Sequence, residues 1–342
     1  MLLTFLSPGR RSPSAVGEDR LPAEGSRRAP DHTHSAPPIA WSPPVRPSWW
    51  ERIELPTWLV ALGIYATWVG LVLLHALIPW PLLALGGGYV VAWHFSLQHE
   101  AIHSWRSAPL WLRTTVVWPP IGGWLPYELY RQSHSQHHHD NNLTYPGIDT
   151  ESVYHRREDW AGYSPLWRSV LMFNQTLLGR LLVGPLLRLR KLVLVETGLL
   201  RRGDLRNLGV WLRFAVGLSA VLWFVSQVAG MPVWKYYLLF VYPGLSLGLL
   251  RAFIEHRWGE HPGERVVSVE SNWAFGLLFL WNNLHIAHHL HPAMPWYALP
   301  RFYRRNRQAL LAHNGHYVFP GYLAIARRWL LRPVFIPVHP QA

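Results

Sequence analysis

Three short stretches of the chain concentrate imidazole at helical spacing. HEAIH sets His99 and His103 four residues apart. HSQHH (134–138) and HIAHH (285–289) repeat one pattern, a histidine followed three and four residues later by two more: His134, His137, His138 and His285, His288, His289. On an α-helix positions three and four apart share a face, so each stretch can aim its histidines at one place. A further histidine, His256, stands in FIEHRW and makes the set nine. One such pair alone would read as a polar helix face. Two identical triples and a pair do not. Nine imidazoles exceed the roughly four ligands of a tetrahedral zinc and suit two ions of higher coordination number with positions left open for oxygen. Imidazole without thiolate fits iron, copper, zinc or nickel; iron is expected if the chemistry is activation of dioxygen.

HEAIH is also literally the H-E-x-x-H of zinc proteases, two ligands and a glutamate base on one helix. An intramembrane protease would need a further ligand, usually an Asp on another span. The apolar helices hold none, and both triples would go unexplained. Glu100 is therefore read as a carboxylate that orients a ligand histidine. A histidine-rich metal transporter would want ligands along its spans, whereas these gather at the ends. His139 falls about 140° from His134 on the same helical wheel and is expected off the site, beside Asp140. His75 lies unpaired in the first apolar stretch and is read as a buried polar contact. His94, five before His99, points elsewhere, and His313, His316 and His339 are expected to be solvated.

The elements that must carry these residues are apolar. The 342 residues are 50% hydrophobic and 15% charged, with 21 Trp, against about 25% charged in a typical soluble domain. From Pro56 to His99 no Asp, Glu, Lys or Arg occurs. That length makes two spans of roughly 20 residues, with the turn at IPWP: about 57–78 and 82–99. A second pair runs about 208–228 and 233–254 across AGMP. The hairpin loops are nearly uncharged, while the N-terminal region, 100–207 and the chain after 254 are rich in Arg, so the positive-inside rule puts termini and histidines on the cytoplasmic side. Residues 166–192 read as one or two helices lying in the interface. The expected fold is all-α: four transmembrane helices in two hairpins beneath a cytoplasmic histidine-rich cap.

Residues 1–48, with nine Pro and several Arg, are expected to be a disordered basic tail, and the opening MLLTFL is too short for a signal peptide. A catalytic domain at 49–315 and a cytoplasmic tail at 316–342 complete the division. The net charge of +13 accompanies no nucleic-acid motif; facing anionic lipid accounts for it. Lys occurs only at 191 and 235 among many Arg, a bias of GC-rich bacterial genomes, hence a bacterial inner membrane. With no Cys, thiolate zinc sites, iron–sulfur clusters and a cysteine nucleophile are excluded.

The set H-x-x-x-H, H-x-x-H-H, H-x-x-H-H between apolar hairpins resembles the integral-membrane fatty acid desaturase superfamily, which includes carotenoid hydroxylases and ketolases. The resemblance covers roughly residues 55–315. NNLHIAHHLHPAMPWYALP (282–300) is similar to the family's third box, and EHR (255–257) to the extra histidine several branches place before it. It implies a diiron centre, two iron ions held by His99, His103, His134, His137, His138, His256, His285, His288 and His289. These would use dioxygen and external electrons to desaturate a fatty acyl chain; the alternative is a hydroxylase or ketolase of a carotenoid or alkyl substrate. Three residues rather than four between His99 and His103, and Ala252 where animal acyl-CoA desaturases have Asn, lead away from acyl-CoA substrates. EHPGE (260–264) is similar to a haem-binding HPGG, but Glu264 replaces the last Gly and no such domain surrounds it. Electrons are expected from a separate ferredoxin or reductase. Trp124, Tyr127, Trp281, Trp296 and Tyr297 flank the boxes and are candidates to line a substrate channel or to anchor at the interface.

Overall fold

A computed structural model describes residues 47–139 and 142–342, with His139 known by its backbone only. The expected N-terminal tail, apart from its last two residues, and Asp140 lie outside the described residues, as does the side chain of His139. The described chain is mostly helical. The helices that position the site are α1 (Leu55–Leu73), α2 (Trp80–His103), α3 (Tyr127–His139), α4 (Gly184–Arg201), α5 (Leu208–Val228), α6 (Val233–Arg251), α7 (His285–Leu290) and α8 (Leu299–His313). Among the described residues three helices, α1, α5 and α6, are long and apolar enough to cross a bilayer. α2 is longer, at 24 residues, but His94, Gln98, His99, Glu100 and His103 in its second half dilute its apolarity.

Both expected turns form. Pro79 and Pro81 open α2, where a missing N–H costs nothing. Gly230 takes the left-handed conformation between α5 and α6, at φ 68°, which a side chain would strain. α6 carries a π segment at Tyr237–Val241, which ends two residues before Pro243. Proline offers no N–H to the preceding turn, and the ladder relaxes around it.

α2 and α6 make the tightest crossing. A Cβ on Gly88 would sit 2.6 Å from Pro243 Cβ, one on Gly87 2.7 Å from the Leu239 carbonyl oxygen, and one on Gly244 2.4 Å from Val91. In lipid, helices associate by such close packing of small residues rather than by expelling water. The helix that ends in His99 and His103 is thereby fixed against the one that leads to Glu255 and His256.

The interfacial stretch forms three pieces, Pro165–Phe173, Leu177–Leu182 and α4. Arg180, expected at the interface, is buried; its guanidinium donates to the Asn174 carbonyl at 3.1 Å and stacks over Phe253. Residues 316–342 are no loose appendage. Tyr317, Tyr322, Ile325 and Trp329 pack with Phe253, Ile254 and Phe279, and β2 (Val318–Phe319) pairs in parallel with β1 (Ser268–Val269). His339 is fully buried, correcting the expectation of solvation. Its backbone N–H donates to the His155 carbonyl at 2.9 Å and its ring lies against Tyr145. His75 is buried as expected, 3.3 Å from Lys235 Nζ, and His94 turns to Tyr65, away from the other histidines.

Candidate metal centre

The nine histidines converge. His99, His103, His134, His138 and His288 form one group; His137, His256, His285 and His289 form a second, and within each the donor atoms lie within 4.8 Å of one another. The groups adjoin, with His138 and His289 stacked at 4.4 Å between ring centroids. Each triple is therefore divided. Members four apart, about 40° round the helix, stay together: His99 with His103, His134 with His138, His285 with His289. The member three residues on, about 60° to the other side, serves the neighbouring group.

Local structure explains how each stretch arrives. His99 and His103 occupy the last turns of α2, whose C-terminal end favours positive charge. α3 begins after Pro126 and presents its triple from its second half. His256 follows α6 in an extended segment: the Val267 N–H donates to the Glu255 carbonyl at 3.0 Å and Arg257 N–H to that of Arg265 at 3.2 Å. Residue 267 in turn accepts the Ile286 N–H at 3.0 Å, and Val269 N–H donates to the Asn283 carbonyl at 2.8 Å. One strip of backbone thus ties His256 to α7. Before α7 the chain turns through Leu280 and Trp281, both left-handed at φ 46° and 55°, each costing about 1–2 kcal/mol. Gly276 makes room, since a Cβ there would meet the Trp281 ring at 2.6 Å.

Buried oxygen acceptors set the rings. His134 Nδ1 lies 2.7 Å from Glu151 and His137 Nδ1 2.8 Å from Asp149. His256 Nδ1 faces the Arg265 carbonyl and His285 Nδ1 the Asn282 carbonyl, both at 3.2 Å. With Nδ1–H directed at oxygen, the Nε2 of each neutral ring carries a lone pair toward its group. Three Nε2–Nε2 separations in the second group, His137–His256, His256–His285 and His285–His289, are 3.1 Å; His138–His288 in the first is also 3.1 Å. Nitrogens bound at about 2.1 Å and at right angles to one ion stand about 3 Å apart. His134 Nε2 is buried and has no hydrogen-bond partner among the described residues. Nitrogens crowded in this way could hold a metal ion in each group.

Electrostatics agree. Burial first, then the positive neighbours, hold His138, His285, His288 and His289 well below the usual histidine range, so all four rings are neutral at pH 7, the form that can bind a metal ion. Burial also brings His256 down to about 3. His137 is the exception: against burial, Asp149 and Glu151 raise it to about 9. A metal ion must displace its Nε2 proton. The same pairing keeps Asp149 and Glu151 ionised despite their burial.

Asp149, Glu151 and Asn282 were not singled out from the sequence. Asn282 touches both groups, its side-chain amide 3.1 Å from His99 Nε2 and its carbonyl on His285. Glu100 is buried but accepts the Trp296 backbone N–H at 3.1 Å; among the described contacts it meets no ligand histidine. It ties α2 to the chain after the third box. Trp296 and Tyr297 are tied to other parts of the chain, the indole donating to Thr57 at 3.2 Å and the phenol to the Glu51 carbonyl at 2.9 Å. Trp124 does line cavities. One, of about 40 Å³, reaches His99, Tyr130 and Arg251; the other, of about 810 Å³, opens between α4, α5 and α6.

Comparison with known proteins is consistent with this geometry. The family model described as fatty acid desaturase matches residues 74–321, which include all nine histidines. No curated protein and no solved structure gives a significant match.

Proposed function

Because the chain belongs to the fatty acid desaturase family, we propose that it is a membrane diiron oxidoreductase that uses dioxygen and two external electrons to desaturate a fatty acyl chain. The observation that carries the reading is the pairing of a five-histidine with a four-histidine group in contact, all nine drawn from the three boxes and His256. Two irons held there would supply the oxidising power to break an unactivated C–H bond, which no side chain of this protein can do alone.

The chain's own residues do the rest. Asp149 and Glu151 hold the Nδ1 protons of His137 and His134, fixing which nitrogen faces the metal. Asn282 keeps His99 and His285 in register across the two groups. Burial of His134, His137, His285 and His288 to 3% exposure or less excludes bulk water, which would quench a strong oxidant. Imidazole survives such an oxidant better than thiolate would, consistent with a chain that has no Cys. α2 serves as the fourth span in this reading, its polar half turned inward, with the site on the cytoplasmic face. Electrons come from a separate ferredoxin or reductase. The protease reading loses its base, since Glu100 is engaged with Trp296.

Expression in a host supplied with candidate lipids, followed by mass spectrometry of its acyl chains and carotenoids, tests the proposal. A new double bond, 2 Da lighter than the parent chain, is expected. A product 16 Da heavier would reassign the reaction to hydroxylation, and no change in iron-loaded protein would refute both.

A further inference from the structure

The larger cavity is a groove of about 810 Å³ between α4, α5 and α6, within the size range of ligand sites. Its walls are apolar, including Leu189, Val193, Leu208, Phe214 and Leu238. One polar feature interrupts them. Glu196 is held by Asn207, whose amide donates to its two carboxylate oxygens at 3.0 and 3.2 Å, and by the Trp211 indole N–H at 2.7 Å. No Lys or Arg lines the groove, and its second acid, Asp204, is engaged by Arg206. Thr197 is committed to the Val193 carbonyl at 2.6 Å and Tyr237 to that of Gly123 at 3.1 Å, which leaves the Trp124 and Trp234 indoles as the remaining side-chain donors on its wall. The one charged group that the groove presents without a cationic partner is therefore an acceptor, Glu196. It repels an anionic end and receives a neutral donor.

Trp124 joins the groove to the active centre. It lines both this groove and the small cavity that reaches His99, and it is itself buried. Gly123 beside it, left-handed at φ 62°, is pinned to α6 by the Tyr237 bond. The indole is placed as a partition between the two spaces.

We propose that this groove binds a linear lipid whose end group is an uncharged hydrogen-bond donor, a hydroxyl, with Glu196 as the recognising carboxylate and Trp124 as the partition between the groove and His99. This rests on the proposed function only in treating His99 as part of the reactive centre. The groove's preference for a hydroxyl over a carboxylate end stands on the groove itself.

Photolabelling of the full chain in detergent with a hexadecanol carrying a mid-chain diazirine, mapped by peptide mass spectrometry, tests it without turnover. Label is expected on α4, α5 and α6. Free hexadecanol should compete about tenfold better than hexadecanoate, the worth of one hydrogen bond to a charged group. Glu196→Gln should erase most of that difference. Leu189→Trp, at a position 45% exposed and so harmless to folding, should fill the groove and abolish the label. Trp124→Ala should let label appear on the 92–99 segment. Equal competition by alcohol and acid, or label spread over all lipid-facing helices and unchanged in Leu189→Trp, would overturn the proposal. Specific label without any lipid product would instead refute the desaturase reading and leave the groove standing.

Discussion

The two histidine groups are built differently. The five-histidine group draws on regular helix throughout, with ligand pairs from α2 and α3 and one residue from α7. The four-histidine group depends on His256, held in an extended segment by backbone bonds to 265–267, and on His137, held by Asp149. On the proposed reading the first would have five imidazoles for its ion and the second four. Redundancy of ligands, not burial, should then decide which metal is lost first, because the donors of both groups are largely buried.

The largest expected effect tests that difference. His256→Ala leaves three imidazoles in its group and should lower iron from about two to about one per chain, with activity lost. His103→Ala leaves four and should retain more metal, although activity falls. Equal metal loss from the two variants would break the comparison. A smaller effect should follow from the orienting carboxylates. Asp149→Asn should weaken metal binding at the four-histidine group by about 10–100-fold, and Glu151→Gln should do the same at the other. Metal titrations of each variant would check whether the two losses fall on different sites.

Helical periodicity made eight of the nine histidines legible, because three- and four-residue spacing survives any error in helix boundaries; His256, alone in extended chain, carries no such period. Periodicity did not show how each triple divides. Spacings of three and four both count as one face, yet they diverge by about 100°, enough to serve two ions. Asp149 and Glu151 escaped notice for another reason: they sit in irregular chain, YPGIDTES, where no period marks a partner. Glu100 is read from its place in HEAIH as orienting a histidine, and the contact described for it is a different one. One residue after His99 it points about 100° away and meets Trp296 instead. Three of the four expected spans, α1, α5 and α6, were readable from their lack of charge, while the burial of Arg180 and His339 depended on contacts distant in sequence.

The crossing of α2 and α6 lets the comparison be sharpened, since it carries His99 and His103 to one group and the approach to His256 to the other. Gly88→Ala would press a methyl to 2.6 Å from Pro243 and should cost about 1–3 kcal/mol. A lowered thermal midpoint with weaker binding at both groups would check this; an unchanged midpoint would show that the helices can part. The smallest effect is expected at His139, which the helical wheel sets off the ligand face. His139→Ala should keep near-normal activity where His137→Ala abolishes it, as a lipid product assay would show.

The central claim is that the nine histidines hold two irons. Elemental analysis by mass spectrometry of the purified full chain, expressed in iron-replete cells, tests it directly. The account predicts about two irons per chain and little zinc. One zinc per chain, or iron well below one, would contradict it.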